Sequence, residues 1–482
     1  MANEHLFLNG IDGATGDYLL PPQTVADVAS AARGEVPDAN HLRELKIKLR
    51  LATTKVLGVT EGVDPADLAS AGWGVIFAHD ADTAIRDALA PLLALRRSQA
   101  GVLYREFVGA DGWTPNESKT AFLTRHRVGP GPADPPKMPY YLLIVGSPEA
   151  IPFTFQYQLD VQYAVGRLHF DTAADYAAYA ASVAATESGP MSERVVLPRQ
   201  AAFFGPCNPD DRSTRLSVDD MVTPLAGLVT TGSPAWTVQS SLRDDATRAR
   251  LAALLGEAPP PALLFTASHG MAFPLGDSRQ LPHQGALLCQ DWPGPSWRAE
   301  IPADFYFAGD HIGADASLHG LVAFFFACYG GGTPRLDDFA HRKRERRPIA
   351  PHAFVAGLPR RLLAHPRGGA LAVVAHVERA WSSSFSWPGA GRQLAVFETA
   401  LKRLMAGQPL GWAMEAFGMR HAELAVDLNG QLEEIRFGKV LTGAEEFALA
   451  MSWMANNDAR SYVIVGDPAV RLAVPRAAAP SA

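Results

Sequence analysis

A histidine and a cysteine each follow an apolar run, and each stands beside glycine. The run LLFTASHG (263–270) contains His269, and the run LVAFFFACYGGG (321–332) contains Cys328. A cysteine attacks as its thiolate, and an imidazole can take the thiol proton and later give it to a leaving amine. Neighbouring glycines let a substrate come close to the backbone. This pattern favours nucleophilic catalysis, with Cys328 as the candidate nucleophile and His269 as the candidate general base and acid.

The same two segments could hold an oxyanion. Backbone N–H groups that face the negative charge of a tetrahedral intermediate contribute strongly to acyl transfer, and the loss of one donor typically costs roughly 10²–10³ in turnover. We expect the N–H groups of Gly270 and Cys328 to serve as these donors.

The two residues must meet in space, and the order of elements predicts that they do. Apolar strands alternate with helices along the chain, and the alternation starts again near Pro190. Continuous apolar strands of this kind are typical of a mostly parallel sheet with helices on both faces. His269 and Cys328 both fall at the carboxyl ends of strands, where ligands bind in open α/β sheets. We therefore predict an α/β fold made of two α/β halves.

The restart near Pro190 also indicates how the 482 residues divide. A chain of this length is too long for one ordinary core. We predict a non-catalytic N-terminal α/β half over residues 1–190 and a catalytic half over residues 191–475. Residues 476–482 are predicted to form a disordered tail.

The motifs resemble those of caspase-like (clan CD) cysteine peptidases. The caspase signature is Gln-Ala-Cys-[Arg/Gln/Gly]-Gly with a histidine roughly 50 residues upstream, and FACYG (326–330) keeps its Ala-Cys-x-Gly part. The motifs of the predicted catalytic half, TASHG (266–270), FFACYGGG (325–332) and YVIVGDPAVRL (462–472), are similar to those of CHAT domains of bacterial caspase homologues. Three segments resemble gingipain-like peptidases: YYLLIVGSPEAIPF (140–153), QYAVGRLHF (162–170) and YVIVGDPAVRL (462–472). The resemblance implies a caspase-like three-layer sandwich, a dyad of Cys328 and His269, and protein substrates.

The residue preferred at P1 depends on the charge of the substrate pocket. An acidic pocket selects Arg or Lys, and an arginine-lined pocket selects Asp. The formal net charge of −7 and the gingipain resemblance favour a basic P1 residue. The candidates for the pocket floor are acidic residues that lie between His269 and Cys328 in the sequence: Asp277, Asp291, Asp310 and Asp315.

A groove wall is expected in the segment HVERAWSSSFSW (376–387), which follows another apolar strand. In caspase-fold peptidases the segment at this place often pairs with the substrate backbone. The resemblance therefore makes Trp381 and Ser382 candidates for the groove. The alternative for Trp381, that it is a core aromatic residue, stays open.

The basic run HRKRERRP (341–348) begins a few residues after the nucleophile. Like charges this close together repel and favour an exposed, extended chain. In caspase-fold enzymes a loop placed in this way is often cut during activation, whereas a solvated loop is the simpler interpretation. The predicted processing site comprises Arg342, Lys343, Arg344, Arg346 and Arg347.

The composition argues against several other functions. The three cysteines form no C-x-x-C pair, so we expect no metal. The chain lacks G-x-G-x-x-G and P-loop motifs, so we expect no nucleotide cofactor. The acidic net charge disfavours nucleic acid as a partner. No apolar stretch of spanning length and no signal-peptide pattern occur, so we expect a cytoplasmic protein without membrane contact.

Together these patterns predict a cytoplasmic caspase-like cysteine endopeptidase of a bacterial defence or signalling system. Its expected partners are protein substrates and an upstream activating protease or regulatory protein. One alternative is a catalytically silent caspase-fold scaffold that binds a partner. Another is an amidohydrolase or acyltransferase that uses the same two residues.

Overall fold

The computed structural model describes residues 5–6, 11–16, 23–24, 58–338 and 346–475. A ten-stranded sheet runs through the molecule in the order β2-β1-β3-β4-β10-β9-β8-β7-β5-β6. The strands, numbered in chain order, are β1 (Trp73–Phe77), β2 (Tyr104–Phe107), β3 (Tyr141–Val145), β4 (Ala164–Leu168), β5 (Gln200–Gly205), β6 (Thr237–Leu242), β7 (Leu263–Ala267), β8 (Val322–Phe326), β9 (Ala372–His376) and β10 (Tyr462–Gly466). Within the described residues, every neighbouring pair of this sheet is parallel except β9 with β10. The predicted mostly parallel sheet is confirmed.

Helices and a few short strand pairs complete the architecture. The helices are α1 (Leu68–Ala71), α2 (Thr83–Ala88), α3 (Ala90–Ala100), α4 (Lys119–Arg125), α5 (Phe153–Leu159), α6 (Ala173–Glu187), α7 (Arg212–Ser217), α8 (Thr223–Gly232), α9 (Arg248–Gly256), α10 (Gln280–His283), α11 (Gly357–Leu363), α12 (Ala395–Met405), α13 (Leu410–Ala413), α14 (Glu415–Arg436) and α15 (Gly443–Arg460). The short pairs are His5–Leu6 with Gln23–Thr24, Ile11–Asp12 with Met271–Ala272, Leu287–Leu288 with Tyr306–Phe307, Gly332–Thr333 with Phe354–Val355, and Ser386–Trp387 with Gly391–Arg392. No described helix is long and apolar enough to cross a bilayer.

The direction of the crossovers places helices on both faces of the sheet. The chain runs outward from β5 to β6 and then back inward to β7, β8 and β9. Right-handed crossovers therefore place α8 on one face and α9 and α11 on the other. On the α8 face, the rings of Phe265 and Phe324 lie 4.8 Å apart between centroids, and Phe397 of α12 packs on both. This apolar layer covers the strands that carry His269 and Cys328.

The two halves of the chain build adjacent parts of one continuous sheet. Strands β1–β4 precede the predicted boundary at residue 190, and β10 inserts between β4 and β9. Because β10 is antiparallel to β9, the carboxyl ends of β7, β8 and β9 lie at the edge opposite to those of β1–β4. The division at residue 190 into functionally separate halves stays a prediction, and residues 476–482 lie outside the described residues.

Candidate active site

The ends of β7 and β8 bring His269 and Cys328 to neighbouring positions. Ala267 is paired with Phe326 in the parallel register, so His269 and Cys328 each stand two residues beyond aligned positions. The Ser268 N–H donates to the Phe326 carbonyl oxygen at 3.1 Å, which continues the pairing past the strands. The structure therefore brings together the two segments that the sequence singled out.

Gly270 is required for this close approach. A Cβ atom at position 270 would lie 1.8 Å from the carbonyl oxygen and 2.9 Å from the nitrogen of Cys328. These distances leave no room for any side chain, because real Cβ contacts are far longer. The glycine beside the histidine thus serves the contact between the two segments.

A buried carboxylate holds the imidazole of His269. The Nε2 atom of His269 lies 2.9 Å from Oδ2 of Asp211, and both side chains are completely buried. Asp211 is also the N-cap of α7, where Oδ2 accepts from the N–H of Thr214 at 3.0 Å and from its hydroxyl at 2.6 Å. A carboxylate fixed in this way orients the ring and stabilises the imidazolium. The contact with Asp211 occupies Nε2, so Nδ1 is the ring nitrogen that the predicted proton exchange with Cys328 would use.

The sequence interpretation missed Asp211. The residue follows β5, which is the other parallel neighbour of β7. The rule that sites form at the carboxyl ends of strands would have included this segment if the strand order had been known. The local signal, an aspartate that begins a helix in PDDRST (209–214), looks like an ordinary N-cap.

Cys328 is held as a buried thiol. Its side chain is fully buried, and the N–H of Ala380 donates to Sγ at 3.3 Å. Burial raises the pKa of the Cys328 thiol to about 12, although the Ala380 N–H and the positive charge of Arg379 act against this rise. A thiol with such a pKa is protonated at neutral pH and is a poor nucleophile.

The predicted oxyanion donors lie on the two segments that meet beyond β7 and β8. Gly270 forms an antiparallel bridge with Leu287, in which Met271 N–H donates to Ala286 and Leu288 N–H donates to His269. In this type of bridge the N–H of Gly270 itself points away from Leu287. An oxyanion hole formed by Gly270 and Cys328 stays a prediction.

The segment after β9 runs alongside the turn that follows Cys328. The Tyr329 N–H donates to the Glu378 carbonyl oxygen at 2.6 Å, and the Gly331 N–H donates to that of His376 at 2.6 Å. Glu378 has a φ of 99°, a conformation that non-glycine residues rarely adopt. This unusual backbone carries the chain past the sulfur of Cys328.

The two candidates for the groove wall have different environments. The side chain of Trp381 is 3% exposed and lies in an apolar cluster with Leu428, Leu449 and Trp453. This is the placement that the core-aromatic alternative describes. Ser382, the next residue, is exposed. Of the two side chains, Ser382 is the one that a peptide could contact in this state.

The four candidate aspartates for the pocket are spread over several loops. Asp277 pairs with Arg279 at 2.7 Å, and the hydrogen bond from Arg279 lowers the pKa of this carboxyl. Asp310 lies 2.8 Å from Nε2 of His283. Asp291 and Asp315 are exposed, and Asp291 accepts from the first backbone N–H of α9 at 2.6 Å. The structure therefore assembles no single pocket from these four residues.

The predicted processing site is only partly within the described residues. Arg342, Lys343 and Arg344 lie outside them. Arg346 pairs with Asp338 at 3.0 Å, and the Arg347 carbonyl oxygen accepts from the N–H of Asp337 at 2.8 Å. The C-terminal part of the basic run is thus joined to Asp337 and Asp338, which precede the run, while cleavage of the run stays a prediction.

Possible metal ligands do not cluster in the part of the chain that the structure describes. Among these residues, no group of three or more His, Cys, Asp or Glu side chains could hold a metal ion. Cys289 is buried and Cys207 is partly exposed, and burial raises the pKa of both thiols.

Comparisons with known proteins found similar folds and no relatives by sequence. No family model and no curated protein matches the chain. The crystal structure of the Arg-specific cysteine proteinase gingipain R is 14% identical, with 86% of this chain and 80% of that chain covered and a TM-score of 0.45. A complex of the pro- and mature domains from Porphyromonas gingivalis is 14% identical, with 83% and 79% covered and a TM-score of 0.43.

A more distant match is the separase–securin complex of Saccharomyces cerevisiae, at 11% identity and a TM-score of 0.28, with 69% of this chain and 16% of that chain covered. Gingipain R belongs to the group of peptidases that the sequence motifs resemble. At these identities and TM-scores, the roles of individual residues rest on the geometry of the chain itself.

Proposed function

We propose that this chain is a cysteine endopeptidase in which Cys328 is the nucleophile and His269 is the general base and acid. The observation that carries this proposal is the buried pair of Asp211 and His269, in which Oδ2 and Nε2 lie 2.9 Å apart. Gly270, the residue after His269, lies against the backbone of Cys328. His376 and Asp458 form another buried pair of this kind, and the pair of His269 differs from it in lying on a segment beside the backbone of Cys328. The set has the order nucleophile, base and orienting carboxylate that acyl transfer requires.

The proposed reaction assigns each step to a residue of this site. Nδ1 of His269 takes the thiol proton while Sγ forms a bond to the scissile carbonyl carbon, and the N–H groups of Gly270 and Cys328 hold the oxyanion. The C–N bond breaks as His269 gives its proton to the leaving amine, which leaves a thioester on Cys328. Water then attacks the thioester with His269 as base, and the sulfur leaves as the thiol. Asp211 stabilises the imidazolium in both halves of the reaction.

Activity requires a change from the described state. The side chains of His269 and Cys328 are both buried, and a peptide must reach the sulfur. We infer that substrate or an activating event opens a path to the sulfur while the Ala380 N–H stays beside it. Cleavage in the basic run, by this enzyme or by another protease, is our candidate for this event. We further propose a basic P1 residue and a cytoplasmic role in bacterial defence or signalling, which the acidic net charge and the motif resemblance favour.

One observation favours a second candidate function. The fully buried thiol, with its pKa raised to about 12, would also suit a catalytically silent scaffold that binds a partner. A thiol-directed peptide probe, such as a peptidyl acyloxymethyl ketone with Arg at P1, separates the two functions. The enzyme becomes labelled at Cys328, and prior cleavage of the basic run accelerates the labelling. A scaffold stays unlabelled before and after that cleavage.

A further inference from the structure

We propose that Asp458 is a positioning residue for Cys328, because it fixes the turn from Ala380 to Ser384 and thereby keeps the Ala380 N–H against the sulfur. This inference deepens the proposed function and rests on it for its kinetic consequence. Asp458 lies at the end of α15, far from Cys328 in the sequence, and its side chain is completely buried.

Asp458 binds the turn at both of its ends. Its Oδ1 atom accepts from the N–H of Trp381 at 2.9 Å, and its Oδ2 atom accepts from the hydroxyl of Ser384. Oδ1 also lies 3.2 Å from Nε2 of His376, the last residue of β9. One carboxylate thus joins the end of β9 to both ends of the turn that follows it.

Further contacts make this arrangement rigid. The hydroxyl groups of Ser384 and Tyr462 lie 2.7 Å apart. Arg420 of α14 donates to the Ser383 carbonyl oxygen at 2.6 Å, and its guanidinium lies 3.8 Å from Asp458. A buried carboxylate is stable when hydrogen bonds and a nearby cation compensate for its lost hydration, and this one has both.

The chain on the other side of Ala380 is anchored independently. Arg379 makes two hydrogen bonds to Asp337, at 2.8 and 3.0 Å, and all these atoms are buried. Ala380 therefore stands between two fixed neighbours, and its N–H has little freedom to leave Sγ of Cys328. Asp458, through its contacts with Trp381 and Ser384, also fixes the turn that contains exposed Ser382, where a substrate would lie.

The chain offers a matched control in Asp467. Asp458 precedes β10 and Asp467 follows it, so the two aspartates stand at opposite edges of the sheet. Asp467 is also completely buried, accepts from the indole N–H of Trp73 at 3.0 Å, and pairs with Arg96 at 2.6 Å. Asn at position 467 likewise removes the charge of a completely buried carboxylate, but only position 458 touches the turn beside Cys328.

The three cysteines of the full-length protein provide the measurement. We would follow alkylation of each cysteine by iodoacetamide with peptide-resolved mass spectrometry, in wild type and in the variants Asp458→Asn, Ser384→Ala and Asp467→Asn. Asn keeps one acceptor oxygen but places an amide donor where Oδ2 accepts from the Ser384 hydroxyl, and it removes the charge near Arg420. We therefore expect a rise of about tenfold or more in the alkylation rate of Cys328 in Asp458→Asn. Ser384→Ala, which removes one of these bonds, produces a smaller rise in the same direction.

Cys289 reports on global unfolding because it is buried away from the turn. Its alkylation rate stays at the wild-type value in Asp458→Asn, and Asp467→Asn leaves Cys328 as slow as in wild type. An unchanged alkylation rate of Cys328 in folded Asp458→Asn overturns the proposal. The proposal is also overturned if the alkylation rates of Cys289 and Cys328 rise together in both Asp458→Asn and Ser384→Ala.

Turnover must move in the opposite direction from alkylation. We expect Asp458→Asn to lower kcat by about tenfold with a smaller change in KM, because the sulfur is no longer held for attack. Faster alkylation with an unchanged kcat would mean that Asp458 only covers the sulfur, which also overturns the positioning role. If wild type shows no proteolysis at all, the proposed function fails, while the alkylation rates still decide whether Asp458 fixes the turn.

Discussion

Replacement of Asp211 by Asn isolates the charge that faces His269. Asn has nearly the same shape as Asp, and its side-chain oxygen can take the place of Oδ2, which accepts from His269 and from both donors of Thr214. Asn is also as good an N-cap as Asp, so we expect the free energy of unfolding to change by less than about 1 kcal/mol. The substitution therefore removes the charge and retains the geometry.

The size of the effect follows from the separation of the charges. Two unit charges about 4 Å apart interact by about 4 kcal/mol at an effective dielectric constant of about 20. This interaction stabilises the imidazolium, which forms only when His269 holds the thiol proton. Because about 1.4 kcal/mol corresponds to a tenfold change in rate, Asp211→Asn should lower kcat by about 10³-fold.

The assay compares kcat on a fluorogenic peptide with the melting temperature of each variant. The matched control is Asp82→Asn, since Asp82 is the exposed N-cap of α2 and accepts from the N–H of Ala84. We expect Asp82→Asn to leave kcat unchanged. A folded Asp211→Asn variant that keeps kcat within about threefold of wild type would refute the role given to the Asp211–His269 pair.

Three further predictions concern substrate preference, processing and pH. A fluorogenic panel with Arg, Lys, Asp and Leu at P1 should show preference for Arg or Lys; a clear preference for Asp or Leu would contradict the proposed basic P1 residue. Cleavage within Arg342–Arg347 should raise turnover, and the fragments should stay associated because β8 and β9 on either side belong to one sheet. Full activity in a variant whose basic run is replaced by Gly and Ser would argue against processing. Because burial raises the pKa of Cys328 to about 12, alkylation of Cys328 in the uncut protein should accelerate about tenfold per pH unit between pH 7 and 10; a plateau near pH 8.5 would show an ordinary, exposed thiol.

The central strands of the fold could be predicted from the sequence because they are short, apolar and buried. The runs that end near Ala267 and Phe326 predict β7 and β8, and parallel pairing then places the residues that follow them side by side. The helix at 83–100 was also predictable, although it breaks at Leu89 into α2 and α3. These features depend on local pattern, which the sequence contains directly.

Features that depend on strand order could not be predicted. Asp211 belongs to the site only because β5 lies beside β7, and Asp458 only because β10 lies beside β9. The burial of Cys328 likewise depends on Ala380, which arrives from a later strand. Nothing in the local sequence around these residues encodes such neighbours.

Local patterns also mislead in two places. The segment APHAFVAGLPRRLLAHP (350–366) is typical of a helix with a kink at Pro359, but α11 covers only Gly357–Leu363 and Pro359 stands in its first turn, where a missing N–H costs nothing. The sequence interpretation named no helix over residues 410–460, although Thr442 and Glu445 form a capping box that marks the start of α15.

The most direct test of the account is cleavage of a protein substrate, with peptide-library profiling, by wild type, Cys328→Ala, His269→Ala and the double variant. We expect each single variant to fold as wild type does and to lose proteolysis. The proteolytic activity of the double variant should be little lower than that of either single variant, because the two residues act as a unit. Substantial cleavage by Cys328→Ala, with the same cut sites as wild type, would contradict the assignment of Cys328 as the nucleophile.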